Sequence, residues 1–462
     1  MASSSLLCLF CLLYLLSLVN ASPEKKATTI TLSLSQLDQN PSPDLLQKLT
    51  HLASASLTRA HHLKNPKSAS LSETPLFPHS YGDYSVSLSF GTPPQTIPFI
   101  MDTGSDLVWF PCTHRYLCKN CSFSNTDPAK IPSFIPKFSS SSQILGCKNP
   151  KCSWIHEVDA KSRCTDCKPN SSNCTQICPP YLIAYGSGTT GGILLSETLD
   201  FPTKRVPDFI VGCSLFSSRQ PAGIAGFGRG PTSLPSQLGL KKFSYCLLSH
   251  RFDDRSESSS LVLESGSDSG DGKTNGVSYT PLLKNPVVGN SAFSVYYYVG
   301  LRKITVGGKR VRIPYRHLAM GSNGNGGTVV DSGSTFTFMV GQIFELVVQE
   351  FEKQVTYHRA ADVETGTGLR PCFHVSGDKT ISLPELVLHF KGAAKMALPL
   401  ANYFSIIGNS DVLCMTIVTD GVVGPEFSDG PSIILGNYQQ QNFYVEYDLE
   451  NERFGFGQKS CK

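Results

Sequence analysis

The chain has 462 residues, of which 40% are hydrophobic and 16% charged, and its 40 Lys and Arg stand against 36 Asp and Glu for a formal charge of +4. That length exceeds one ordinary core and suits two large lobes, because domains cluster at roughly 100–200 residues. The near balance of charge, with no basic stripe, argues against a nucleic-acid binder and leaves other partners open.

Leu6 to Val19 is an uninterrupted run of apolar and small residues, closed by Val19-Asn20-Ala21 and followed by the charged Glu24-Lys25-Lys26. It is shorter than the roughly 20 residues a membrane helix needs. It reads as a secretory signal over residues 1–21 with a small-residue cleavage site. The other reading is a buried N-terminal helix, against which the charges that follow at once and the missing polar face both argue. No later stretch is long and apolar enough for a membrane span. Of the sixteen cysteines, Cys8 and Cys11 leave with the signal, and an even number in an exported chain reads as disulfides. Cys118-x-x-Cys121 and Cys164-x-x-Cys167 also carry a zinc-site spacing, but export favours disulfides, and neither a metal nor a cofactor is expected. Asn120-Cys121-Ser122, Asn170-Ser171-Ser172 and Asn173-Cys174-Thr175 are glycosylation acceptor sequences, at Asn120, Asn170 and Asn173.

Next, Ser42-Pro43-Asp44 makes a helix start, and Leu45, Leu49 and Leu52 then share one face. Lys48, Arg59, His61, His62 and Lys64 make this helix basic, and Ser68 to Pro75 is polar and rich in breakers. Residues 22–75 read either as a linker or as a removable pro-segment. The second is preferred, since a basic amphipathic helix can lie over a cleft that holds carboxylates.

From Tyr81 the pattern turns to strands. Tyr84 to Phe90 alternates, Gly91-Thr92-Pro93-Pro94 breaks it, and Ile97 to Met101 leads into Asp102-Thr103-Gly104-Ser105. The second half repeats this order, with Tyr297 to Leu301, Ile304 to Val306, a Gly307-Gly308 turn, and Thr328 to Val330 leading into Asp331-Ser332-Gly333-Ser334. One such acid-hydroxyl-glycine tripeptide is an ordinary turn. Two, one per half, indicate a duplicated fold with a shared site. An apolar pair closed by glycine follows each acid, Ile224-Ala225-Gly226 and Ile434-Leu435-Gly436, at 124 and 105 residues.

The longer first interval points to an insertion. Residues 112–178 hold nine cysteines and all three acceptor sequences, in a stretch too poor in apolar runs to order itself without covalent staples. Ser256 to Gly276 is rich in Ser, Gly, Asp and Glu around Leu261-Val262-Leu263. The expected division is therefore a first lobe over 76–255, a linker over 256–276 and a second lobe over 277–462. Ile343, Leu346, Val347 and Phe351 recur at helical spacing, the one firm helix of the second half.

These motifs, together with Tyr185-Gly186-Ser187-Gly188, Ile434 to Tyr438 and Phe454-Gly455-Phe456, resemble the pepsin-type aspartic proteases. The cysteine-rich insertion resembles the plant group typified by nepenthesin. The resemblance runs from about Tyr81 to the C-terminus. It implies a mainly β, bilobal fold of two related lobes with the cleft between them, and an endopeptidase working at acidic pH on a polypeptide substrate, made as a zymogen and blocked by pepstatin-like inhibitors. Export implies a secreted protein of the apoplast or wall, with the vacuole as the other destination, and a monomer is expected.

Hydrolysis without metal or covalent intermediate needs a base to activate water and an acid to protonate the other side of the bond, and two carboxylates about 3 Å apart can share one proton and do both. Asp102 and Asp331 are assigned this work, titrating as a pair. Gly104 and Gly333 let backbone amides approach the acids. By the resemblance, Thr103 and Ser332 cross-link the two loops, and Ser105 and Ser334 bond the outer carboxylate oxygens; Ser332 and Ser334 stand where the family often has Thr. Tyr185 and Gly186 match a mobile hairpin over the substrate, with Trp109 as the indole partner of the Tyr hydroxyl; Tyr181 is the competing tyrosine, but only Tyr185 precedes the Gly-Ser-Gly turn that a mobile hairpin tip needs. Taken alone, Trp109 is a core aromatic. The alternative function is a pepsin-fold binding protein or inhibitor of cell-wall glycanases, which the presence of both acids weighs against.

Overall fold

The computed structural model describes residues 28–36, 45–64, 82–121, 131–156, 162–167, 174–185, 188–220, 222–249, 258–266, 272–286, 291–375, 380–407, 411–421 and 430–461. The signal reading over 1–21, the breaker-rich stretch 68–75, the helix-start residues Ser42 to Asp44, Gly186, Asn170 and Asn173 lie outside these residues. The architecture is mainly β, as the alternating segments require.

Tyr84–Phe90 and Gln95–Asp102 pair antiparallel around the Gly91 break, and the alternation sends Tyr84, Val86, Leu88 and Phe90 inward. Phe90 meets Phe110 and Phe209 edge-on at 5.4 and 5.7 Å between ring centres, filling the first-lobe core. Tyr297–Val299, Thr328–Val330, Ile433–Leu435, Thr337–Met339 and Ile417–Val418 form the corresponding sheet of the second half. The expected helix forms over Gly341–Glu352, with Ile343, Val347 and Phe351 buried.

Among the described residues, fifteen strands join one large sheet that runs across both halves. Lys242–Cys246 pairs with Ser258–Glu264 on one side and with Phe443–Asp448 on the other, and a Cys246–Cys461 disulfide ties the same seam. The first part of the Ser- and Gly-rich stretch 256–276 is thus a strand, held in place by buried Leu261 and Leu263.

Two elements precede the lobes. Thr29–Gln36 is a strand inserted between Ser258–Glu264 and Tyr84–Phe90, with Leu34 opposite Val86. Leu45–Lys64 is a helix whose apolar side, Leu49, Leu52, Ala53, Ala60 and Leu63, packs against Tyr296, Tyr298, Phe336, Phe338 and Tyr438 of the second half. Its last turn carries His61, His62 and Lys64, of which the Lys64 ammonium favours the negative end of the helix dipole.

All fourteen cysteines among the described residues pair into seven disulfides. Cys118 bonds Cys121, Cys164 bonds Cys147 and Cys167 bonds Cys174, so their thiolates are not free to hold zinc. Among the described residues no helix is long and apolar enough to cross a membrane.

Candidate active site

Each acid sits where an apolar strand ends, and the apolar-pair segment downstream fixes that end. Gly223–Gly226 lies parallel to Phe99–Asp102 with Gly226 opposite Asp102, and Phe227 N donates to Asp102 O at 2.7 Å. Ile433–Leu435 lies parallel to Thr328–Val330 in the same way, and Asp331 N donates to Leu435 O at 3.0 Å. The closing glycines follow from sterics: a Cβ on Gly226 would stand 2.2 Å from the Asp106 carbonyl, and one on Gly436 2.5 Å from Thr335 O.

The two loops meet face to face with matching hydrogen bonds. Ser105 Oγ donates to Asp102 Oδ2 at 2.6 Å, and Ser334 Oγ to Asp331 Oδ2 at 2.6 Å. Gly104 N donates to Asp102 Oδ1 at 2.9 Å, and Gly333 N to Asp331 Oδ1 at 3.0 Å. A Cβ on Gly104 would stand 2.6 Å from Asp331 Oδ1, and one on Gly333 2.5 Å from Asp102 Oδ1, so only glycine lets the loops approach this closely. Thr103 and Ser332 reach across: Thr103 N donates to Ser332 Oγ at 3.1 Å and Ser332 N to Thr103 Oγ1 at 2.9 Å.

Into this pair the N-terminal helix inserts Arg59. Its Nη2 donates to Asp102 Oδ1 at 2.6 Å and lies 3.4 Å from Asp331 Oδ1, while Nε donates to Asp331 Oδ2 at 3.1 Å. One buried guanidinium therefore touches both carboxylates. Burial works against its charge, and the two acids more than offset that. Burial raises Asp102 above the usual carboxylate range, with Asp331 beside it adding to the shift and Arg59 opposing it. Burial also opposes ionisation of Asp331, but there the Arg59 charge and hydrogen bond, with those of Ser334 and Gly333, win and hold it below that range.

Two more acids border the pair. Burial, with Asp102 nearby, pushes Asp83 up to about 8. Burial likewise lifts Asp106 to about 7, against a hydrogen bond from Gly230 N at 3.0 Å. Asn437 joins the first lobe's leading segment to the second loop, its Nδ2 donating to Gly82 O at 2.9 Å and Ser332 O at 3.0 Å. Sequence reasoning counted Arg59 only as one base in a run, left Asn437 inside a motif, and had no signal for Asp83 or Asp106.

Tyr185 lies in the described part of the hairpin, with its hydroxyl 3.0 Å from Trp109 Nε1, which donates to it, and both rings buried. Tyr185 N and Gly188 N exchange hydrogen bonds with each other's carbonyls, closing the turn. Tyr181, four residues earlier, is buried in the cluster beneath. Asn120 is exposed, in the left-handed backbone region that Asn tolerates.

Family models described as Xylanase inhibitor N-terminal and Xylanase inhibitor C-terminal match residues 84–263 and 296–458. A probable aspartyl protease of Arabidopsis thaliana is 35% identical over 430 residues, covering 83% of this chain and 83% of that protein. Aspartic proteinase nepenthesin-1 of Nepenthes gracilis is 32% identical over 453 residues, covering 96% of this chain and 93% of its own length. Among solved structures, that of edgp superposes with a TM-score of 0.63 at 20% identity, over 95% of this chain and 96% of that one. Basic 7S globulin from soybean gives 0.60 at 17%, over 94% and 97%. At those identities the structures speak for the fold alone.

Proposed function

The chain belongs to the pepsin-type aspartic proteases, in the nepenthesin-like plant group, and from that footing we propose an endopeptidase that works in acid through Asp102 and Asp331 and is exported as a zymogen. The observation that carries this reading is the pairing of Asp102 and Asp331 on one guanidinium nitrogen, each acid with the same serine and glycine donors. Two carboxylates so close share one proton at acid pH once the cation has left. The ionised member takes a proton from water as the oxygen attacks the peptide carbonyl carbon, and the protonated member gives its proton to the carbonyl oxygen. Collapse of the tetrahedral diol then breaks the C–N bond, with a proton delivered to the departing nitrogen.

In this reading Thr103 and Ser332 hold the loops in register, Ser105 and Ser334 favour the ionised form, and Tyr185, held by Trp109, closes over an extended polypeptide substrate. Residues 22–75 are the pro-segment, and Arg59 is its plug: while it bridges the acids, neither can activate water. The signal over 1–21, glycosylation at Asn120, Asn170 and Asn173, and delivery to the apoplast, wall or vacuole complete the proposal. The division into lobes 76–255 and 277–462 about 256–276 belongs to it as well.

The family models carry a xylanase inhibitor description, so a binding protein is the second reading. The paired acids with their full set of donors favour the enzyme. The test is cleavage of a denatured protein by the processed chain at pH 3–5, blocked by pepstatin and abolished by Asp102→Asn. Full activity in that variant would sink the assignment.

A further inference from the structure

We propose that Asp420 and Phe338 form a binding site for a basic side chain of the polypeptide substrate, which Lys64 occupies until the pro-segment leaves. The inference rests on the protease reading and narrows its substrate class. Lys64 Nζ lies 3.1 Å from Asp420 Oδ2, with the two side chains 8% and 5% exposed. The same nitrogen stands 5.0 Å over the centre of the Phe338 ring. A carboxylate on one side and an aromatic face on the other make a receptor for an ammonium or guanidinium group.

The receptor's ring lies in the same sheet as the second acid's strand, two strands over. Thr337–Met339 and Ile417–Val418 run parallel with Phe338 opposite Val418, which puts Asp420 two residues beyond the ring's neighbour. Phe338 also pairs with Ile434, and Ile434 with Val329, two residues before Asp331. Lys64 comes five residues after Arg59, ~7.5 Å further along a helix rising 1.5 Å per residue. Gly430, at φ +73°, lets the lysine backbone in, since a Cβ there would stand 2.6 Å from Lys64 Cα. One helix thus meets two cation receptors, the acid pair shared by both lobes for Arg59 and, in the second lobe, Asp420 with Phe338 for Lys64.

When the helix leaves, Asp420 loses this cover and its counter-charge. A substrate bringing Lys or Arg restores the ion pair. One bringing an apolar side chain does not restore it, and a site built for a polar partner discriminates strongly against its absence.

The test is a peptide library cleaved by the processed wild type and by Asp420→Asn. The expected result is enrichment of Lys or Arg at one fixed distance from the scissile bond in the wild type, with the ratio of basic to apolar cleavage there falling ~10-fold in the variant. Cleavage with no basic preference at any position overturns this inference and leaves the protease reading standing. If the processed chain cleaves nothing, the protease reading fails, and the receptor is judged by binding instead. A synthetic peptide of residues 45–64 and its Lys64→Met form are then titrated against the processed chain. At least ~5-fold weaker binding of the Met form, with the difference erased in Asp420→Asn, supports the receptor; equal binding, or a difference that survives Asp420→Asn, overturns it.

Discussion

Thr103 and Ser332 each donate a backbone N–H to the other's hydroxyl oxygen, at 3.1 and 2.9 Å, across the junction of the two acid loops. Each hydroxyl passes its proton on to the opposite strand, Ser332 Oγ to Met101 O at 2.9 Å and Thr103 Oγ1 to Val330 O at 3.4 Å. Both residues are fully buried. The exchange makes the position of one acid depend on the position of the other, which the proposed sharing of a proton requires.

Ser332→Ala is therefore expected to act on both stability and rate. It leaves the buried Thr103 N–H without its acceptor, at a cost of about 1–3 kcal/mol. Misplacement of Asp331 by a fraction of an ångström should lower kcat by about 10- to 100-fold. Ser332→Thr keeps the hydroxyl and should retain most of both. Thermal unfolding and kcat of the two variants check this; an Ala variant equal to wild type in both would show that the exchange does not hold the loops.

Replacing Arg59 tests the proposed zymogen. In the full chain, Arg59→Met leaves two buried acids without their cation, a loss of about 3–5 kcal/mol in docking. That corresponds to release of the helix at least ~100-fold more readily. The sign with pH follows from Asp331, which the docked Arg59 helps hold below the usual carboxylate range. Docking is favoured above that range and lost as pH falls through the lowered value. The variant should therefore release its pro-segment at higher pH than wild type and cleave a fluorogenic peptide before processing. A variant as inert as the wild-type zymogen at every pH would remove Arg59 from this role.

In the same proposal His62 is a second acid-sensitive element. Burial lowers it to about 4, with Arg59 on the same helix adding to the shift and Asp331 across the interface opposing it. A histidine depressed in the docked form binds more protons once released, so docking weakens as pH falls from about 6.5 towards 4, by at most about 3 kcal/mol. His62→Gln removes that drive. The pH of half-release, read by gel from a timed acid series, should move downward; an unchanged or higher midpoint would exclude His62 from the trigger.

The acids and the fold were legible because they are doubled: an apolar strand ending in Asp, and an apolar pair closed by Gly, each occur once per half, and local chemistry explains both. Arg59 was harder, since nothing local marks which base of a run reaches acids 43 and 272 residues away. Helical spacing carries a signal: Arg59 follows Leu52 by seven residues, two turns, and so shares its buried face. The strand Thr29–Gln36 is absent from the sequence reading of residues 22–75; the alternation of Ile30, Leu32 and Leu34 carries its signal, whereas its place in the sheet depends on partners far along the chain. Asp83 and Asp106 have no motif; only the folded surroundings make them unusual.

The Cys246–Cys461 disulfide closes a loop spanning 215 residues, joining the strand Lys242–Cys246 of the first half to the chain end beyond Arg453–Gln458. Cross-links over long loops restrict the unfolded chain most, and removing one costs about 2–5 kcal/mol. The same seam carries the pairing of Lys242–Cys246 with Phe443–Asp448, so its loss should loosen the contact between halves while leaving each acid loop's own hydrogen bonds in place. The double variant Cys246→Ser, Cys461→Ser is expected to unfold several degrees lower. Unfolding of the wild type should be matched by the variant under reducing conditions. A variant that melts with the oxidised wild type would mean that strand pairing alone holds the seam.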